Sequence, residues 1–132
     1  MEKISITTGR ILLGLYFLYP GITKISKYDF MVEYMTLHNI PLINILLPLT
    51  IVLQVVLGLM LITGYRIKEP ALILATLTIF INVGMHDFWN TYPGTDAGHE
   101  MQNFVKNLGI FAGLLALSAS NNVSQWRLFN NS

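Results

Sequence analysis

The chain has no cysteine among its 132 residues. That absence excludes disulfides, thiolate metal sites, iron–sulfur ligation and a Cys-x-x-Cys electron relay. It also excludes the four-helix membrane enzymes that pass electrons from thiols to quinone, because their chemistry needs cysteine pairs. Charge is scarce too: 11% of residues are charged, against about 25% in an ordinary soluble domain. The net charge of +1 gives no long-range steering of anions and no basic face for nucleic acid. What is abundant is apolar surface. Hydrophobic residues make up 53% of the chain and the mean hydropathy is +0.55. A soluble domain of this size needs a polar exterior to cover its core, so this composition points to a small integral membrane protein.

A helix needs about 20 apolar residues to cross the hydrocarbon core, and four segments approach that length. The first, ILLGLYFLYPGIT between Arg10 and Lys24, is short. It spans only if the helix runs from residue 4 to 25, with Lys24 reaching outward. No small-residue cleavage site follows it, so it is expected to be retained rather than cleaved as a signal peptide. The second, residues 41–64, carries no charge. The third covers 70–89, with Pro70 suited to a helix start. The fourth covers 100–119. Ser26 to Asn39 mixes apolar, aromatic and charged residues and reads as a short amphipathic helix on the membrane surface between spans one and two. The expected fold is therefore an all-α transmembrane four-helix bundle forming one domain over residues 1–132. Lys3, Arg10, Arg66, Lys68 and Arg127 fall on one side and Lys24, Lys27 and Lys106 on the other. That bias places both termini in the cytoplasm.

Polar residues at membrane depth survive when they face the bundle interior. Arg10, Gly14, Phe17, Gly21 and Lys24 follow one another at steps of four and three, so they share a face of the first helix. The two glycines there allow another helix to come close, and so do Gly109 and Gly113 in the last span. Arg10 is expected at the inner interface or against a helix end. Asn82, His86 and Trp89 share a face of the third span; Asn103, Lys106 and Asn107 share one on the fourth. Gln54 lies near the middle of the second. With the termini inside, Lys24, His86, Glu100, Lys106 and Asn107 all fall toward the outer leaflet, as does Trp89 on the face of His86, with Gln54 deeper. Lys24, Gln54, His86, Trp89, Lys106 and Asn107 form a candidate polar pocket. The alternatives are plain. Lys106 pairs with Glu100 or Asp87 as a structural ion pair, and His86 simply hydrogen-bonds within the bundle. A bis-histidine haem needs two facing histidines, and His86 alone sits in a span, so no haem is expected. His38, His86, His99, Asp96 and Glu100 lack a firm ligand spacing, so no metal is expected either.

The motifs resemble the DoxX-like membrane proteins. The similar pieces are GRILLGLYFLYPGITKI at Gly9–Ile25, IPL at Ile40–Leu42 and GLMLITGYR at Gly58–Arg66. HDFW at His86–Trp89 and EMQNFVKNLGIFAGLL at Glu100–Leu115 complete the set. The resemblance implies a four-helix bundle in a bacterial inner membrane. It also implies roles ranging from a thiosulfate:quinone oxidoreductase subunit to oxidative-stress complexes, assembly or cargo transport. The resulting expectation is a membrane subunit linked to quinone-dependent redox or oxidative-stress function, with a quinone as the possible cofactor. A catalytic residue is not assigned, and any enzymatic activity needs a partner to supply electrons. The alternative is a non-enzymatic scaffold or chaperone-like subunit of a larger complex. Expected partners are the lipid bilayer, other membrane or redox proteins and further copies of the chain.

Overall fold

The computed structural model describes residues 1–120 and 122–129. Among these the chain forms five helices: α1 (Glu2–Ser26), α2 (Tyr28–Leu37), α3 (Ile43–Thr63), α4 (Lys68–Met85) and α5 (Ala97–Ser118). No strand occurs among the described residues. α1 packs along α3 and α4 along α5, and α3 joins the two pairs through α4. α2 is the short helix read from residues 26–39. It touches α1 and α3 only lightly.

Helix ends differ from the expected spans for local reasons. α4 stops at Met85 rather than at 89, because Asp87 collects side chains from the following loop (Asn90 and Tyr92) and from His38. α5 begins at Ala97 rather than at 100. Asp96 caps it, its carboxylate accepting the Gly98 amide at 2.9 Å. α3 ends at Gly64, whose φ of 82° is open to glycine, with the Gly64 and Tyr65 amides both closing on the Met60 carbonyl. Only α3 and α4 are long and apolar enough to cross a membrane on those grounds alone. α1 and α5 have the length, 25 and 22 residues, but not so uniformly apolar a composition.

The glycines of α1 act as expected. A Cβ on Gly14 would lie 2.7 Å from the Gly58 carbonyl oxygen, and one on Gly21 would lie 3.0 Å from the Gln54 Cβ. Only hydrogen fits at Gly14, and a Cβ at Gly21 would crowd its neighbours, so α1 and α3 meet closely along this seam. Gly109 and Gly113 behave differently. Gly109 has nothing within 4 Å of a Cβ, and Gly113 has only the Leu13 Cδ1 at 4.0 Å. Within one chain that pair makes no tight helix contact, because α5 packs on α4 through its other face.

Two apolar clusters fill the interior. One, around Phe17, Leu57, Leu61, Leu74 and Leu114, lies between the long helices. The other, Met35, Leu47 and Met85 with Met31 and Ile81 against them, lies under α2. Between and beyond them the interior is polar. Arg10, Gln54, Thr78, Asn82, Glu100 and Asn107 are all buried. The outside is apolar. Leu49, Val52, Val56 and Leu59 form an exposed stripe on α3, and Val105, Leu108 and Leu115 form one on α5.

Candidate functional site

Arg10 lies apart from the other buried polar residues. It is 2% exposed. Its Nε donates to the Leu61 carbonyl at 2.7 Å, near the C-terminal end of α3. Its two terminal nitrogens donate to the Gln125 side chain at 2.7 Å and the Trp126 carbonyl at 2.6 Å. The Trp126 amide in turn donates to the Thr7 hydroxyl, and the Leu128 amide to the Thr63 carbonyl. Lys3 sits 4.4 Å from the centre of the Trp126 ring. The segment after α5 is thus pinned across the ends of α1 and α3. Of the two sequence readings of Arg10, the helix-end pairing is the one realised, and it is fully buried.

At the opposite end of the α1–α3 pair is a cavity of about 830 Å³, within the usual range for small-molecule sites. α1 supplies Tyr16, Phe17 and Lys24, and α3 supplies Leu47, Thr50 and Gln54. α4 and its C-cap add Thr78, Ile81, Met85 and His86. α5 and the loop before it add Asp96, His99, Glu100, Asn103 and Asn107, and α2 lays Phe30, Met31, Tyr34 and Met35 across it.

Four of the pocket residues named from the sequence therefore come together: Lys24, Gln54, His86 and Asn107. Lys24 does not reach outward. Its ammonium donates to the Gln54 side-chain oxygen at 3.0 Å. Asn107 accepts from the Tyr16 hydroxyl at 3.0 Å and donates to the Asn82 oxygen at 3.2 Å. Asn82 donates to the Phe104 carbonyl. This chain of hydrogen bonds ties α1, α5 and α4 together, each link satisfying a polar group that would be costly to bury alone.

Two residues lie elsewhere. Lys106 is exposed and does not line the cavity. Residues 103 and 107 are four apart and share a helix face, while 106 is turned about 100° from 107. Only one of the neighbours can face inward, and asparagine does. Trp89 is 55% exposed and packs edge-on against Phe88 and Phe104 at 5.3 and 5.7 Å, outside the cavity lining.

The sequence reading missed the partner of His86. Its Nδ1 lies 3.1 Å from Glu100 Oε2, and the other Glu100 oxygen accepts the Tyr34 hydroxyl at 3.1 Å. Glu100 therefore engages His86 and Tyr34, not Lys106. Burial first, then the charge and hydrogen bond of Glu100 and the charge of Asp87, push the Tyr34 phenol up to about 12. Asp87 likewise pairs with His38 rather than Lys106, at 2.9 Å. Burial pushes its carboxyl up, but hydrogen bonds from Asn90, Tyr92 and His38 outweigh that and hold it below the usual carboxylate range. The His38 ring lies between Tyr34 and Tyr92, and its Nε2 is buried with no partner among the described residues. Depth places Glu100 at the outer end, whereas Tyr34 sits in the segment read as a surface helix. Their pairing depends on how α2 folds over the cavity, which periodicity does not give. No three metal-ligating side chains gather among the described residues.

A family model described as DoxX matches residues 5–87, which include Lys24, Gln54 and His86. The inner membrane protein YqjF of Escherichia coli (strain K12) is 30% identical over 118 residues, covering 89% of this chain and 85% of that protein. The inner membrane protein YphA of the same strain is 25% identical over 117 residues, covering 89% and 83%. No solved structure matches the chain. With a family match over more than half of its length and an inner membrane relative similar nearly end to end, the chain belongs to the DoxX family.

Proposed function

We propose that this DoxX protein crosses the inner membrane with α1, α3, α4 and α5, both termini in the cytoplasm. On this reading its cavity holds a quinone, as part of a quinone-linked redox or oxidative-stress system. The multi-pass reading is supported by an inverted distribution of polarity. Aliphatic stripes lie outside on all four long helices, including Leu12, Leu15 and Ile22 on α1. Arg10, Gln54, Asn82 and Glu100 lie inside. Water would penalise that arrangement and hydrocarbon favours it.

The observation that carries the ligand is the cavity itself. Its walls, from Phe17, Met31, Leu47, Ile81 and Met85, suit a flat apolar ring. Lys24 retains ammonium protons beyond the one given to Gln54, and those suit a carbonyl oxygen. A bound quinone supplies a carrier for two electrons and two protons. On the protein side, His86, Glu100 and Tyr34 form a connected set of groups able to hold or move a proton at the cavity wall. Electrons come from a partner, since the chain carries no thiol.

The test is organic extraction of the purified protein, with chromatography for quinones, beside a His86→Ala sample. Quinone in the wild type and its loss from the variant support the reading. Absence from both, in folded protein, sinks it.

The second reading is a non-enzymatic scaffold subunit. It draws on the open small-residue face of α5, where Gly109 meets no neighbour. It predicts a stoichiometric membrane partner after gentle extraction at native expression, lost when Gly109 and Gly113 are made Leu.

A further inference from the structure

We propose that the cavity selects a ligand bearing an anionic oxygen on an apolar body, and that Lys24 is the residue that binds that oxygen. The proposal rests on the reading of the cavity as a ligand site and narrows the class of ligand.

Lys24 lines the cavity, yet it has no acidic partner. The ion pairs among the described residues are His38 with Asp87 and His86 with Glu100. The ammonium meets only the neutral Gln54 oxygen, itself on a residue 4% exposed. An ammonium has three protons to give, so most of its capacity faces the void. Its place is fixed by the backbone. Gly21, three residues earlier, presses α1 onto α3 beside Gln54, and a lysine reaching only for the interface would not turn toward that buried amide.

The carboxylates of the cavity are on other elements and already engaged. Glu100 is held by Tyr34 and His86. Asp96 caps α5 through Gly98. Charge is therefore separated: an unmatched cation on the α1–α3 wall, acidic groups on the α5 side. An amphipathic anion lies with its oxygen at Lys24, away from those carboxylates, and its body against Phe17 and Leu47. Bringing an unpaired ammonium together with an anionic oxygen in an apolar cavity is a charge-assisted contact, stronger than a neutral one.

That oxygen has two chemical sources, an ionised hydroxyquinone and a fatty carboxylate, and paired probes separate them. Binding to the full chain in detergent is measured by calorimetry near neutral pH. One pair is lawsone, an ionised hydroxynaphthoquinone, and menadione, its neutral methyl counterpart. The other is laurate and lauryl alcohol. The expected result is a preference for the charged member of at least one pair of roughly tenfold to a hundredfold. Lys24→Met abolishes that preference and Lys24→Arg retains it, with Lys24→Gln as a second neutral variant should methionine impair folding.

If lawsone and menadione bind alike, laurate is not preferred over lauryl alcohol and Lys24→Met changes neither pair, the anion inference falls while the quinone reading stands. If the laurate pair alone shows a Lys24-dependent preference and neither naphthoquinone binds, the inference stands and the quinone reading falls. Failure of all four probes to bind folded protein overturns both.

Discussion

The two ends of the α1–α3 pair treat buried charge in opposite ways. At one end the Arg10 guanidinium meets three acceptors at 2.6–2.7 Å, one at each nitrogen. At the other, Lys24 meets one neutral oxygen and faces a cavity. Both cations lie on the same stripe of one helix, so sequence spacing alone cannot tell them apart. What separates them is saturation. A buried charge with an acceptor at each of its nitrogens is a fastener, whereas one with a single neutral partner beside a cavity is arranged for something else.

Breaking the saturated end has the largest effect. Arg10→Met strands the Leu61 and Trp126 carbonyls and the Gln125 side chain. It is expected to cost about 1–3 kcal/mol for each buried acceptor left unpaired, read as a large fall in the thermal midpoint in detergent. Lys24→Met, at the open end, is expected to change that midpoint far less; an equal fall for both would erase the contrast. Next comes the seam between the ends. Gly14→Val drives a side chain into the Gly58 carbonyl and is expected to destabilise by about 1–3 kcal/mol. Gly109→Ala, on the open face, should match or slightly raise the wild-type midpoint, since alanine is the better helix former by about 1 kcal/mol.

The cavity end is probed more gently. His86→Ala removes a partly exposed pair with Glu100, worth about 1 kcal/mol or less. Its main expected consequence is loss of co-extracted quinone, not of fold. The smallest effect is a pH dependence. The Asp87 carboxyl is depressed in the folded chain, so its contribution is present above the ordinary carboxylate range and is lost as pH falls through its lowered value. Tyr92→Phe removes one of the hydrogen bonds that depress it, and the acid unfolding transition should move to higher pH. No movement would mean that the Asp87 cluster contributes nothing to the closed loop.

The order of the helices, and the glycines that join α1 to α3, were legible because period and composition encode them. So was the gathering of Lys24, Gln54, His86 and Asn107, which follows from depth and helix face. Lys106 escaped that logic because adjacent helical residues diverge by about 100°, and depth does not record rotation. The bond of Glu100 to Tyr34 escaped it because the two are 66 apart in sequence and meet through the placement of a ten-residue helix whose docking no pattern specifies. The Arg10 clasp was hidden for a similar reason: two of its three partners lie in the polar segment after α5, with no periodicity to point to them.

That clasp also bears on how the protein is made. Two of the three acceptors of Arg10, on Gln125 and Trp126, follow it by 115 and 116 residues and are made well after it. Until those residues exist the guanidinium lacks most of its acceptors, and burying it unpaired is costly. The clasp that holds the Arg10 end of α1 therefore closes only after α5 has been made.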